Sequence, residues 1–261
     1  MSNLTQFSLA LKAFQQASTS PNAVPVAQPR TIPGLPASLE GLGPLPLNTL
    51  LFGVAADGHP LLLSLTNPRP GPILVAAERG GGKTHFLKML LMAAQRLIAP
   101  GEVQFAVISS YPTDFTHLQA PDHLLGVWPA YDPSCSELLF QLACRVEEPN
   151  GRRPVLLLID GLDAIFQLES TAQDNLAYIL AHGPEAQVWP VVTANAEMLA
   201  NLPDWLACFR TRIFGRITNP ATVEALTSAP GAPLNALYPG AQFCMRERSN
   251  WLKFWLPMLP A

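Results

Sequence analysis

Between residues 77 and 84 the chain reads Ala-Glu-Arg-Gly-Gly-Gly-Lys-Thr, a glycine run that ends in a lysine and a hydroxyl. Glycines let backbone N–H groups close around an anion, and a helix starting at that point adds the partial positive charge of its N-terminus. In that chemistry Gly80, Gly81 and Gly82 form a phosphate cradle, Lys83 reaches the β- and γ-phosphates, and the Thr84 hydroxyl ligates Mg²⁺. His85, in the first turn beside Thr84, falls within the same nucleotide-binding set. Loops of this kind want glycine at position 77, where this chain has Ala77. Alanine gives up easy access to positive φ, which the neighbouring glycines would have to supply.

A metal acid is expected at Asp160, which ends the apolar run Val155-Leu156-Leu157-Leu158-Ile159. Such a carboxylate holds Mg²⁺ directly or through water. Many nucleotide hydrolases place a glutamate directly after it to activate water; here that position is Gly161, and the next acid is Asp163. Asp163 reads either as the catalytic base or as the N-cap of a helix beginning near Ala164. Glu78, inside the loop, would repel phosphate and is expected to face solvent. The strand Val188–Val192 ends in Thr193-Ala194-Asn195, a polar end suited to sensing γ-phosphate or orienting water, though Asn195 equally suits a helix cap. Around Phe209-Arg210-Thr211-Arg212-Ile213-Phe214-Gly215-Arg216 stand three arginines. One reading offers an arginine, Arg212 first, to a neighbouring subunit's γ-phosphate; the other is surface salt bridging.

The elements that must position these groups are strands alternating with helices. Ile73–Ala76 leads through the loop into a helix over Lys83–Ile98. Further strands are expected at Val103–Ser109, Leu124–Trp128, Pro154–Asp160, Gln187–Ala194 and Thr211–Ile217. Helices are expected at Ser136–Val146, Gln173–Ala181 and Pro220–Leu226, with a broken helix over Glu197–Phe209. Thr49–Ala55 and Pro60–Leu65 flank Asp57-Gly58, a hairpin turn signal, and Gln242–Arg246 with Trp251–Leu256 reads as a closing hairpin. This order implies an α/β fold with a mainly parallel sheet and helices on both faces. Leu4, Phe7, Leu11 and Phe14 mark a short amphipathic helix, its stripe suited to the chain's own core or to a partner. Ser18–Pro46, rich in proline, reads as an extended linker or strap. The expected organisation is residues 1–46 as helix and linker, and 47–261 as one nucleotide-binding domain.

Composition narrows the partners. Of 261 residues 49% are hydrophobic and only 13% charged, against an average near 25% charged, which suits a chain that buries surface against partners or copies. A net charge of −3 gives no general attraction to DNA, so nucleic-acid contact would need a local basic patch or a pore made by assembly. Cys135, Cys144, Cys208 and Cys244 contain no Cys-x-x-Cys pair and fit reduced thiols better than a zinc site or disulfide framework. His59, His117, His123 and His182 show no metal-ligand pairing, and the tryptophans lack the basic interleaving of a stacking platform. With no signal-peptide pattern and no apolar run of about 18 residues, the expected compartment is the cytoplasm, without a membrane partner.

Taken together, three stretches resemble the HerA/FtsK branch of P-loop ATPases. They are the hairpin Phe52-Gly53-Val54 to Leu65, the pair Val75–Thr84 and Val155–Asp160, and Thr193-Ala194-Asn195 with Phe209–Ile213. The resemblance implies a RecA-like P-loop NTPase fold and ATP hydrolysis by a homo-oligomeric, commonly hexameric, ring that moves DNA or another polymer. It assigns Lys83 and Thr84 to ATP and Mg²⁺, Asp160 to the metal, and Arg212 to a neighbour's site. The segment Leu158-Ile159-Asp160-Gly161-Leu162-Asp163 is also similar to the acid segment of NACHT-type signalling ATPases. That second likeness implies a nucleotide-dependent switch or scaffold with slow or no hydrolysis, in which Gly161 is ordinary and Asp163 functional.

Overall fold

The computed structural model describes residues 32–43, 45–116, 123–148, 153–229 and 231–260. The expected helix over residues 4–17, most of the linker and His117 lie outside them. Ten strands form a single sheet: β1 (Thr49–Ala55), β2 (Pro60–Ser64), β3 (Ile73–Ala77), β4 (Gln104–Ser109), β5 (Leu124–Pro129), β6 (Val155–Asp160), β7 (Val188–Asn195), β8 (Thr211–Phe214), β9 (Gln242–Glu247) and β10 (Asn250–Trp255). Their spatial order is β2-β1-β10-β9-β8-β3-β7-β6-β4-β5. From β8 to β5 every pairing is parallel, and from β8 to β2 every pairing is antiparallel. Both hairpins expected from the sequence therefore extend the same sheet that holds the parallel strands, with β1 beside β10.

Helices complete the layers: α1 (Leu35–Glu40), α2 (Lys83–Leu97), α3 (Thr113–Thr116), α4 (Pro133–Glu147), α5 (Leu162–Ile165), α6 (Ser170–His182), α7 (Ala196–Leu199), α8 (Pro203–Ala207) and α9 (Pro220–Thr227). β3 shows why two layers are needed, since all five of its residues are buried. Leu74 and Ala76 face a core closed by α4, α6 and α9, while Ile73 and Val75 face one closed by α2 and Leu35 of α1. This is the pattern of a parallel strand covered on both sides. Each fully buried Leu or Val contributes roughly 1.5–3 kcal/mol relative to exposure.

One expectation needs correcting. The described part of the Ser18–Pro46 stretch is not extended throughout. Residues 35–40 are the helix α1, started by Pro36 in its first turn, and Gly34 bridges Met258. Leu35 is fully buried, so this segment is tied to the sheet domain at both its backbone and its side chain. Trp189 is likewise a core residue, 1% exposed.

Candidate functional site

Parallel α/β sheets gather ligands at the carboxyl ends of their strands, and here β4, β6 and β7 end in a row of polar residues beside β3, which leads into the glycine loop. The register sets Ser109 of β4 opposite Asp160 of β6, Ile159 of β6 opposite Val192 of β7, and Asn195 of β7 opposite Ala77 of β3. Beyond Ala77 the chain turns through Glu78–Gly82 into α2, 15 residues long. No side chain caps α2, and its first turn carries no acidic residue, so its positive end is left for an external anion.

Gly80 and Gly82 adopt φ of 73° and 85°, the left-handed region that glycine enters freely. Ala77 does not need that freedom, because it lies inside β3 and is absent from the positive-φ residues. Its methyl fits because two neighbours lack one: a Cβ on Gly81 would come within 2.7 Å of the Ala77 Cβ, and one on Gly215 within 2.9 Å. The departure at 77 is thus absorbed by glycines at 81 and 215. Gly82 abuts Gly240, whose Cα would stand 2.6 Å from a Cβ on Gly82. The segment preceding β9 therefore forms one wall of the loop.

Lys83 Nζ donates to the carbonyls of Glu78 at 2.9 Å and Ala77 at 3.2 Å. These bonds hold the ammonium over the loop. Burial pulls the Lys83 ammonium below its ordinary value, against the carboxylates of Asp160 and Asp163, which favour the charged form. The Thr84 hydroxyl lies 3.0 Å from both carboxylate oxygens of Asp160. Thr193 Oγ1 donates to Asp160 Oδ1 at 3.1 Å and accepts the Gly161 N–H at 2.8 Å. Ser109 Oγ adds a long contact of 3.5 Å to Asp160 Oδ2. Burial pushes the Asp160 carboxyl above its usual range, and the hydroxyls of Thr84, Thr193 and Ser109 with the Lys83 charge offset part of that rise.

Those groups fit Mg²⁺. The converging donors are hydroxyl and carboxylate oxygens, the hard ligands this ion prefers, and one carboxylate with ligand phosphates is its usual holding pattern. Among the described residues no group of three His, Cys, Asp or Glu side chains converges. A metal here would draw on Thr84, Asp160 and oxygens of the ligand itself.

The remaining sequence-predicted positions divide. Asp163 lies exposed in the first turn of α5, which begins at Leu162, and Gly161 rather than Asp163 holds the N-cap position. Gly161 has φ of 104°, and a Cβ there would meet Asp163 Oδ1 at 3.0 Å. A glutamate at 161 would thus be strained as well as crowded. His85 is half-buried in the first turn of α2, its imidazole pulled below the ordinary value by burial and by Lys88. Asn195 caps α7 by accepting the Glu197 N–H at 3.0 Å, while its backbone sits level with Ala77. Arg212 is not brought to this row. It pairs with Leu74 near the start of β3, and its guanidinium donates to the carbonyls of Leu206 at 2.9 Å and Phe209 at 3.2 Å. Glu78 is not free in solvent: the Thr218 hydroxyl donates to it at 2.6 Å.

Sequence reasoning missed Ser109, although its signal was the one that found Asp160, a polar residue at the end of a buried apolar strand. Thr218 and Gly240 gave no signal, because their roles arise from contacts across long stretches of chain.

The sheet order and the strand–loop–helix unit define a RecA-like P-loop NTPase fold, and solved structures agree on it. The chain is similar to EccC (ATPases 2 and 3) of Thermomonospora curvata in complex with a signal sequence peptide, with a TM-score of 0.68 and 13% identity over 97% of this chain and 48% of that one. It is similar to EssC (ATPases 2 and 3) of Geobacillus thermodenitrificans, with a TM-score of 0.66 and 13% identity over 83% and 48%. The pCW3 conjugation coupling protein TcpA, solved with ATPγS, matches with a TM-score of 0.62 and 11% identity over 88% and 70%. The chain thus spans about half the length of the EccC and EssC chains. No family model matches the sequence, and no curated protein does.

Proposed function

We propose that this chain binds ATP·Mg²⁺ on the Gly80–Thr84 loop and hydrolyses it as a subunit of a ring-forming, HerA/FtsK-like motor that acts on DNA or another polymer. The observation that carries the reading is the meeting of Thr84 and Asp160 at the start of α2, beside a lysine held over the loop. Mg²⁺, when bound, would neutralise charge developing on the transferred phosphoryl group. Lys83 exchanges its carbonyl partners for phosphate oxygens, and the free amides at the α2 N-terminus cradle them. Asp163, exposed beside Gly161 and felt electrostatically by Lys83, is the group offered as base. Thr193 fixes the Asp160 carboxylate and the Gly161 amide together.

The motor half of the reading is supported by kinship of shape. EccC is a type VII secretion ATPase and TcpA a conjugation coupling protein. The net charge of −3 favours a polymer other than DNA unless assembly builds a basic pore. Among the described residues no helix is long and apolar enough to cross a membrane; a cytoplasmic location is part of the proposal. Arg212 enters as the arginine offered to a neighbouring subunit, a role that would require it to leave the Leu206 and Phe209 carbonyls.

A second reading, a nucleotide-dependent switch or scaffold with slow or no hydrolysis, is favoured by Gly161, whose positive φ disfavours the usual glutamate. Phosphate release by wild type and Lys83→Ala, with and without DNA, separates the two. Release by wild type well above Lys83→Ala supports the hydrolase. Equal release with retained ATP binding supports the switch, and absence of ATP binding overturns both. Growth of particle mass on adding ATP supports the homo-oligomeric ring; a persistent monomer removes it, and Arg212's role with it.

A further inference from the structure

Glu78 is a carboxylate placed one residue past β3, within the very segment offered to an anion. Its side chain is turned aside. Glu78 Oε1 accepts hydrogen bonds from both the hydroxyl and the N–H of Thr218, a residue 140 positions away. The backbone follows the same path: the Gly215 N–H donates to the Ala76 carbonyl at 2.9 Å, and the Glu78 N–H donates to the Arg216 carbonyl at 3.2 Å. The leading arm of the loop is therefore stitched to the segment that continues β8. Burial alone would raise the Glu78 carboxyl, but the Thr218 hydroxyl and amide and the Arg216 charge hold it below the ordinary glutamate range. Arg216 bears on Glu78 through its charge, and among the described residues its Nε is buried without a hydrogen-bond partner.

We propose that Thr218 is a positioning residue for nucleotide binding, which clamps the Glu78 carboxylate against the Gly215–Thr218 segment and away from the phosphate-binding amides. The inference rests on the ATP reading of the loop. Thr218 acts through Glu78: with the hydroxyl bond lost, only the Thr218 N–H restrains the ionised carboxylate, which then swings more readily toward the phosphates. Repulsion between unit charges at such range is large enough to change affinity, and it is screened by salt where solvent reaches it.

The test is calorimetric titration of ATP·Mg²⁺ into the full chain as wild type, Thr218→Val, Thr218→Ser, Glu78→Gln and the Glu78→Gln/Thr218→Val pair. Thr218→Val, which removes the hydroxyl bond and keeps the N–H bond, is expected to weaken binding about threefold at low salt, and Thr218→Ser, which keeps both, to bind as wild type. Neutralising the carboxylate must rescue the defect, so the double variant is expected to bind as tightly as Glu78→Gln alone. The Thr218→Val loss should also shrink as salt rises. Wild-type affinity in Thr218→Val, or a loss that persists in the Glu78→Gln background, overturns the clamp while leaving ATP binding intact. A wild type that binds no ATP overturns the nucleotide reading and the clamp together. Thr218 is exposed, and melting curves of each variant, with Thr218→Ala in reserve, keep misfolding from imitating the effect.

Discussion

Thr84 and Asp160 stand 76 positions apart in sequence, yet the hydroxyl of one donates to both carboxylate oxygens of the other at 3.0 Å. No turn or helix brings them together. The parallel register of β3, β7 and β6 does, and it places the acid over the first turn of α2.

Asp160→Asn should separate nucleotide affinity from metal dependence. ATP binding measured with and without Mg²⁺ is expected to be Mg²⁺-enhanced in wild type and indifferent to Mg²⁺ in the variant. Phosphate release should fall by about 100-fold or more, since the metal's charge stabilisation of the transition state is worth several kcal/mol. A variant that keeps its Mg²⁺ enhancement would remove Asp160 from the metal.

Gly82→Ala and Gly58→Ala form a matched pair. Both positions have nearly the same positive φ, 85° and 86°, but a Cβ on Gly58 meets nothing within 4 Å while one on Gly82 runs into the Gly240 backbone. Gly58→Ala should cost only the left-handed strain, about 1–2 kcal/mol of stability, and leave ATP binding alone. Gly82→Ala should cost more and weaken ATP binding sharply. Melting curves and titrations on both variants check this, and equal behaviour would mean the Gly240 wall has no bearing on the cradle.

Ala77→Gly restores the usual glycine of such loops and should gain nothing. Ala77 already has an ordinary strand conformation, so ATP affinity should stay within about twofold, which is under 0.5 kcal/mol, and stability should fall by roughly 0.5–1 kcal/mol, as for glycine inside a strand. A clear gain in affinity would mean that the methyl does obstruct the loop.

Gly161→Glu puts the glutamate that many nucleotide hydrolases carry into a φ of 104° and should lower the melting temperature without speeding phosphate release. Asp163→Asn is expected to lower kcat with little change in KM, the sign of a group that matters only in the transition state. Unchanged turnover in Asp163→Asn would take the base role from it.

Thiol chemistry reports on one of the two cores, the one that holds both Cys135 and Cys244. Burial pushes the Cys135 thiol up to about 11 and the Cys244 thiol up to about 12, whereas Cys144 is exposed. A mild alkylating agent at pH 8 should label Cys144 first and leave Cys135 and Cys244 unlabelled until the protein unfolds. In the folded state these two stay protonated above pH 9, where the unfolded chain loses their protons. Their contribution to stability is therefore complete below the ordinary thiol value and declines as pH rises toward 11–12. Cys244→Ala should flatten that alkaline decline in a pH series of melting curves.

The parallel half of the sheet was well legible in the sequence, for a physical reason. Strands buried on both faces are written as unbroken apolar runs, so Val155–Asp160 and Ile73–Ala77 stand out, and the glycine run marks where the helix must start. Arg212 shows where linear reading stops. It begins β8, and because β8 runs parallel to β3 its first residues lie level with Ile73 and Leu74, at the end of the sheet away from the loop. Strand direction, which a single strand does not reveal, decided that placement. Glu78 and Thr218 were illegible as a pair for a similar reason, since their meeting depends on β8 lying beside β3. Gly161 was visible as a missing glutamate; that its backbone disfavours one became visible only with its φ.

The pairing of β1 with β10 sets Val54 opposite Trp255, about 200 residues away. During synthesis the first hairpin therefore leaves the ribosome long before the strand that covers its inner edge, and until then that edge exposes unpaired N–H and C=O groups. The same late stretch carries Gly240, the wall behind Gly82. A growing chain can lay down its parallel strands early, but its phosphate cradle is finished only after β9 and β10 have docked. The affinity for nucleotide proposed above is thus tied to completion of the sheet.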